Sequence, residues 1–194
     1  MEENIIKITD EELMLKVING DKKSFYTLVN RWNKPIINFF YKNTLNQELA
    51  EELAQDVFIN VWKSKNYSVK ANFYSWLYKI AKNKLIDYKR KNKLNLVSID
   101  NNPEFLDELM TNSDDLENNL IKLEELKMVQ KTIFNLDEEQ KQLLIMSKYQ
   151  KLKYDDISKI LNCSTDNVKV KVFRAVKNFV KKFQELYGEY KNEK

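Results

Sequence analysis

Cationic, aromatic and amide side chains occur together in residues 72–91, which have the sequence NFYSWLYKIAKNKLIDYKRK. Lysine and arginine bind phosphate, aromatic rings stack on bases, and an asparagine amide can both donate to and accept from a base edge. A protein that holds unpaired bases beside their backbone needs these three kinds of group. The stretch therefore indicates a surface for strand-separated DNA, while an ordinary solvated basic surface remains the alternative.

A second basic stretch lies near the C-terminus, where residues 168–182 hold six basic side chains and no acid. On a helical wheel an apolar face lies opposite a mainly basic one. The first carries Val168, Val172, Ala175, Phe179 and Phe183, and the second carries Val170, Arg174, Lys177 and Lys181. One face would pack in a core, and the other is free to enter a major groove. A solvated basic face on a surface helix is again the alternative.

A helix-turn-helix would position this basic helix. Residues 154–161 have the spacing of a short helix, and the Asn-Cys-Ser sequence of 162–164 supplies a turn. Ser164 or Thr165 can cap the next helix by accepting a backbone N–H, and Asp166 suits the positive end of that helix. The pattern predicts a DNA-binding motif whose first turns read base edges and whose later cations meet phosphates.

The composition excludes several kinds of site. The chain has no histidine and one cysteine, Cys163, so a Cys/His zinc site, a Ser-His or Cys-His catalytic pair and an internal disulfide are excluded. We therefore expect no metal, no cofactor and no enzymatic activity. The acidic N-terminus does not resemble a signal peptide, and no window approaches about eighteen uninterrupted apolar residues. We expect a cytoplasmic protein without membrane insertion.

The elements that carry these residues are predicted to be helical throughout. Only two glycines and two prolines interrupt 194 residues, and apolar residues recur at helical spacing, which predicts an all-α fold. The predicted helices span residues 10–19, 22–43, 47–64, 72–92, 120–135, 137–149, 154–161 and 165–186. Residues 94–119 carry seven acids and no base, which is typical of a flexible linker. Two helical domains, 1–93 and 120–194, would flank this acidic linker.

A third segment, ELAEELAQDVFINVWKS at residues 48–64, combines an apolar stripe with an acidic shoulder. The apolar stripe is formed by Leu49, Leu53, Val57 and Val61. The acidic shoulder is formed by Glu51, Glu52, Gln55 and Asp56. An amphipathic helix packed in its own bundle explains the pattern. The more specific interpretation adds a protein partner on the polar side.

Several of these segments in a fixed order resemble the sigma-70 family of bacterial RNA polymerase sigma factors, in its extracytoplasmic-function group. The order is DEEL, NGDKKSFYTLVNRW, AEELAQDVFINVW, FYSWLYKIAKNKLIDYKR, the acidic linker and YDDISKILNCSTDNVKVKVFRAVK. The resemblance covers about residues 10–187. It implies a promoter-specificity subunit with core RNA polymerase and promoter DNA as partners, and anti-sigma factors are common partners in this family. Residues 1–93 would form region 2 and residues 120–194 region 4, with the linker threading the polymerase channels.

The resemblance also implies roles for individual residues. The segment AEELAQDVF matches the part that docks on the polymerase clamp helices, with contacts from Leu53, Gln55, Asp56 and Phe58. The loop and helix from residue 67 match the element that captures a flipped base of the minus-ten element, with contacts from Tyr67, Trp76, Lys79, Lys82 and Asn83. KVKVFR matches the minus-thirty-five reader, with contacts from Lys169, Val170, Lys171, Phe173, Arg174 and Lys177.

This chain departs from the family pattern at several positions. Leu49 replaces a frequent Asp, Val69 and Lys70 replace Gly and an acid, Lys148 stands near a frequent Glu, and Lys151 replaces a frequent Gly. The departures bear on which promoter is recognised more than on the class of protein. Two other classes stay open at this point: an autonomous helix-turn-helix regulator that uses the C-terminal domain alone, and a structural helical module whose basic faces are merely solvated.

Overall fold

The structure, a computed structural model, describes residues 8–65, 67–68, 72–91 and 116–192, and the side chains of all of these except 116–124 and 189–192. Every regular element in these ranges is helical, which confirms the all-α prediction. The helices are α1 (Asp10–Ile18), α2 (Lys22–Thr44), α3 (Gln47–Lys63), α4 (Phe73–Lys91), α5 (Leu116–Phe134), α6 (Glu138–Leu144, followed by a π-helical turn at Ile145–Tyr149), α7 (Tyr154–Leu161) and α8 (Thr165–Asn192).

The chain forms two compact units, and their limits differ from the predicted domains because residues 155–163 belong to the first unit. The first comprises Met1–Leu96 and Asp155–Cys163, and the second comprises Val97–Tyr154 and Ser164–Lys194. The predicted domain limits, 1–93 and 120–194, stay a prediction. Most of the predicted linker lies outside the residues that the structure describes.

In the first unit α1 to α4 enclose an aromatic core. Phe39, Phe40, Phe73 and Tyr78 are fully buried, and the Phe39 and Tyr78 rings meet edge to face with centroids 5.6 Å apart. Such pairs add about 0.5–1.5 kcal/mol to the stabilisation from burial alone. This packed core therefore fixes the orientation of α3 and α4.

Helix α1 is fixed to α2 by one carboxylate. Asp10 accepts hydrogen bonds from the Arg31 guanidinium at 2.7 Å and from the Trp32 indole N–H at 2.9 Å. At the start of α1, Thr9 and Glu12 form a reciprocal capping box. These contacts orient α1 against the bundle, which matters because α1 also contacts the start of α4.

In the second unit the predicted apolar face of the basic helix is the core face. Val168, Val172 and Ala175 of α8 are buried, and Phe179 packs partly buried against Leu136 and Leu144. This arrangement confirms the helical-wheel assignment for these residues. The opposite face of α8 is consequently directed to solvent.

Lys151, one of the residues that depart from the family resemblance, has an unusual backbone conformation. Lys151 lies between the π-helical turn and α7 with φ at +53°, in the left-handed region. That conformation costs a residue with a Cβ about 1–2 kcal/mol, while glycine adopts it freely. A lysine in a strained conformation thus stands where the resemblance implies a glycine.

We expect Lys151→Gly to raise the free energy of unfolding by about 0.5–1 kcal/mol. The relieved left-handed strain exceeds the added freedom that glycine gives the unfolded chain. Urea denaturation followed by circular dichroism measures the change. Lys153→Gly is the matched control, because Lys153 is exposed and has no positive φ. A stability gain of the same size in the control would contradict the strain explanation.

Candidate nucleic-acid and protein interfaces

The outer face of α3 is acidic, with an apolar end. Its exposed residues are Glu48, Glu51, Glu52, Gln55, Ile59, Trp62 and Lys63. Of the predicted docking residues, Gln55 is exposed and Asp56 is partly exposed, whereas Leu53 and Phe58 are buried in the bundle. Leu53 and Phe58 therefore hold α3 in place, and the surface chemistry of this helix comes from its polar residues.

Asp56 links the outer face of α3 to α4. Its Oδ2 accepts a hydrogen bond from the Lys84 ammonium at 2.9 Å, and 47% of its side chain is exposed. The pair joins two helices and still leaves carboxylate surface for a partner. The sequence did not reveal this pair, because the two residues are 28 positions apart.

Ile59 and Trp62 extend the α3 face with apolar surface. Both stay exposed, although the Trp62 ring packs against Phe25 with centroids 5.0 Å apart. Gln55, Ile59 and Trp62 follow each other at intervals of four and three residues, so they share one side of the helix. The helical wheel contained this signal, and the sequence prediction of docking residues missed both apolar members.

The outer face of α4 brings together three of the predicted DNA-binding residues. Trp76, Lys79 and Asn83 are spaced by three and four residues, and the first is half-buried while the other two are exposed. Lys82, half-buried, lies beside them. The same face continues through exposed Ile86 and Arg90 towards the basic end of the helix.

Tyr67 lies beneath this face rather than on it. Only 6% of the residue is exposed, and its ring meets Trp76 with centroids 5.0 Å apart and Phe73 at 6.2 Å. Burial, together with the smaller effect of the negative charges on Glu11 and Asp10, raises the pKa of the Tyr67 hydroxyl to about 12. The phenol is therefore neutral at physiological pH, and Trp76 is the ring of this pair that reaches the surface.

The N-terminus of α4 is held by an acid from α1. Glu11 Oε1 accepts the Phe73 backbone N–H at 2.8 Å, and Asn72 Oδ1 accepts the Ser75 N–H at 3.2 Å. These acceptors satisfy two backbone groups that a helix start leaves unpaired. Sequence reasoning missed Glu11, because its partner is 62 residues away and no local pattern connects them. Glu11 is a positioning residue for the α4 surface.

The outer face of α8 carries most of the predicted minus-thirty-five residues. Those exposed on it are Lys169, Val170, Phe173, Arg174 and Lys177. Lys171 points elsewhere: it is half-buried and forms an ion pair with Glu139 in the first turn of α6. Lys169 is exposed and pairs with Asp166 at 2.9 Å. The surface is thus basic with an apolar centre, and Lys171 contributes to packing as well as to charge.

The turn before α8 has the predicted length. Asn162 adopts a left-handed φ of +53°, and the Cys163 N–H donates to the Ser158 carbonyl at 3.0 Å, which ends α7. Ser164 Oγ then accepts the Asn167 N–H at 3.2 Å. Of the two predicted caps, Ser164 makes this hydrogen bond.

Among the described side chains, no group of three or more His, Cys, Asp or Glu residues could hold a metal ion. None of the helices within the described ranges has the length and apolar character needed to cross a membrane. The candidate surfaces are the outer faces of α3, α4 and α8, because these faces expose the cationic, acidic and apolar side chains described above.

Comparison with known proteins assigns both halves of the chain to one family. The family model of sigma-70 region 2 matches residues 28–94, and that of sigma-70 region 4 matches residues 126–179. The ECF RNA polymerase sigma-E factor of Haemophilus influenzae is 27% identical over 186 residues, covering 93% of this chain and 98% of the relative. The RNA polymerase sigma-H factor of Pseudomonas aeruginosa is 28% identical, with coverage of 93% and 96%.

A solved structure has the same fold. The sigma factor RpoE of Bartonella quintana, crystallised with the anti-sigma factor NepR, matches with a TM-score of 0.63 and 21% identity, covering 86% of this chain and 98% of that one. The α3 and α4 faces lie in the segment that matches region 2, and the exposed part of α8 lies in the segment that matches region 4. The chain belongs to the sigma-70 family of RNA polymerase sigma factors, in its extracytoplasmic-function group.

Proposed function

We propose that this sigma factor binds core RNA polymerase through the outer face of α3 and directs initiation at promoters that it recognises with α4 and α8. One observation carries the proposal: each family region presents an exposed, cation-bearing helix face. On α4 this face carries Trp76, Lys79 and Asn83, and on α8 it carries Val170, Phe173 and Arg174. Two DNA-binding faces on one chain give specificity for two elements at a fixed separation.

On α4 the proposed division of labour follows exposure. Trp76 offers the ring on which an unpaired base stacks, with Tyr67 packed against it as support. Asn83 offers both donors and an acceptor for a base edge. Lys79 and Lys82 are placed for the strand's phosphates. A duplex hides base faces and edges, so this surface acts after the strands separate.

Reconstitution with bacterial core polymerase tests the proposal. We expect the mixture to start transcription at a defined set of promoters, identified by sequencing transcript starts. Neither component alone should do so. If the chain were instead an autonomous helix-turn-helix regulator, it would bind duplex DNA tightly and sequence-specifically without polymerase. If it were a structural helical module, it would bind neither core polymerase nor DNA. Either outcome would reject the proposal.

A third partner follows from the solved relative. By analogy with RpoE of Bartonella quintana, we propose that an anti-sigma factor competes with core polymerase for this chain. Because core polymerase works in the cytoplasm, we place the protein there. Proteins that copurify with the tagged chain and are displaced by excess core polymerase would support this part of the proposal. Partners that are not displaced would count against it.

Asn83→Ala should lower the equilibrium constant for promoter opening about tenfold, because a hydrogen-bonded base contact of this kind contributes about 1–2 kcal/mol. The closed complex should be nearly unaffected, since the duplex hides the base edges. Permanganate footprinting of unpaired thymines measures opening. On a template with a pre-melted bubble the variant should still capture the matching base poorly.

Lys79→Ala is the control for Asn83→Ala. Lys79 lies one turn earlier on the same exposed face but offers only charge. The loss of the Lys79 charge should weaken the binding of the polymerase complex to promoter DNA whatever the bases are. Added salt should reduce the difference in affinity between the variant and the wild type. Normal opening by Asn83→Ala, with an unchanged preference for the captured base, would remove Asn83 from the proposed site.

A further inference from the structure

The outer face of α8 has an apolar centre that basic residues alone do not explain. Phe173 is 70% exposed and Val170 is 49% exposed. Among the described residues no large apolar side chain is more exposed than Phe173. Val168, Val172 and Ala175 of the same helix are buried, so α8 has a complete core face without these two side chains.

The surroundings of this apolar pair favour a polyanion as its partner. Val170 and Phe173 are three residues apart and therefore adjacent on the helix surface. Lys169, Arg174 and Lys177 are exposed around them. A partner that covers the pair must also meet these cations, which suits a nucleic-acid groove bordered by phosphates.

The position of the pair along α8 also fits a groove. The helix begins at Thr165, so Val170 and Phe173 fall in its second and third turns. In helix-turn-helix proteins the N-terminal part of the recognition helix approaches the base edges. The side chains that project there contact bases rather than the sugar-phosphate backbone.

One apolar group is displayed on the base edges of the major groove, the 5-methyl group of thymine. We propose that Val170 and Phe173 recognise thymine 5-methyl groups in the upstream promoter element, an inference that rests on the proposed function. Arg174, on the same face, would supply the polar contact to a neighbouring base. The apolar pair thereby turns a general major-groove contact into a preference for thymine.

Geometry limits where these thymines lie. Residues three apart on a helix have Cβ atoms about 5–6 Å apart, and successive bases of one strand are about 3.4 Å apart. The two side chains therefore meet adjacent base pairs or pairs one step further apart. The proposal predicts one or two methyl-dependent positions within a window of about three base pairs.

The test exchanges single methyl groups in the DNA. A promoter obtained from the reconstituted system is prepared with each upstream thymine replaced in turn by uracil, which lacks only the 5-methyl group. The affinity of the complete complex, this chain with core polymerase, is measured for each duplex. We expect uracil to lower affinity about three- to tenfold at one or two neighbouring positions and to have little effect elsewhere.

Protein variants then assign the effect to the two side chains. Phe173→Ala or Val170→Ala should bring the ratio of the affinities for the thymine and uracil duplexes to about one at the position that the residue contacts. Phe173→Leu keeps an apolar contact, so it should retain part of the difference in affinity. Lys181→Ala is the control: it should lower affinity for both duplexes while leaving the ratio unchanged. Both apolar residues are exposed, so circular dichroism should show intact folding.

The outcomes separate this inference from the proposed function. Initiation at the promoter with a thymine-to-uracil ratio near one at every upstream position would overturn the inference and leave the function standing. Loss of polymerase binding by Phe173→Ala, with that ratio retained, would assign the pair to a protein contact and also overturn it. A reconstituted complex that initiates nowhere would overturn both.

Discussion

Replacing Asp56 with arginine is expected to weaken the association of this chain with core RNA polymerase by at least about 30-fold, because placing like charges together at an interface costs several kcal/mol. Asp56 belongs to an outer face that also exposes Glu48, Glu51 and Glu52, so a complementary partner surface is basic. An arginine at this position would face that basic surface. Fluorescence titration of the labelled chain with core polymerase measures the loss.

A charge swap distinguishes this effect from damage within the fold. Because Asp56 also binds Lys84 at 2.9 Å, the single variant loses an internal ion pair as well. The double variant Asp56→Arg, Lys84→Asp restores an ion pair of reversed polarity while keeping the arginine outward. It should remain as weak as the single variant. Recovery of wild-type affinity would mean that Asp56 acts only through Lys84, against the docking proposal.

Arg174→Ala is expected to cost about 1–3 kcal/mol in promoter binding and to relax the preference for one base of the upstream element. Arg174 is exposed on α8 beside Val170 and Phe173, where its guanidinium can form a bidentate contact with a guanine. Competition binding of the complete polymerase complex against promoters altered at each upstream position measures both effects.

Lys181→Ala provides the contrast for Arg174. Lys181 lies about two turns further along α8, exposed, with its ammonium 3.9 Å from Glu185. It is placed for phosphate, so its loss should weaken binding to all sequences alike and reduce the salt slope by about one. If the two variants gave equal losses that did not depend on sequence, base recognition by Arg174 would be rejected.

The helices themselves were largely predictable. The predicted segments 22–43 and 47–64 differ from α2 and α3 by no more than one residue at either end. Periodicity and caps are local properties, so the sequence displays them directly. The prediction was less accurate for residues 137–149, where the α-helix ends at Leu144 and the last turn, Ile145–Tyr149, is π-helical. Nothing in the local pattern distinguishes that turn from a continued α-helix.

The candidate surfaces were predictable as faces but less so as individual residues. The helical wheel correctly placed Val172 and Arg174 on opposite faces of α8, because helical geometry fixes which residues share a face. It did not indicate that Lys171 turns towards Glu139, or that Tyr67 lies under Trp76. Both depend on what packs against the helix.

The class of this protein could be read from its sequence: an all-α chain with two basic helix faces, an acidic amphipathic helix and no residues for a Cys/His metal site or a histidine-dependent catalytic pair. Those properties follow from residue types and from spacing within single helices. Tertiary structure decided which side chains of each face remain available. It buried Leu53 and Phe58, joined Asp56 to Lys84, and brought Glu11 to the start of α4. Helical periodicity fixes the direction of a side chain, but only packing between distant segments decides whether it meets solvent or a neighbour.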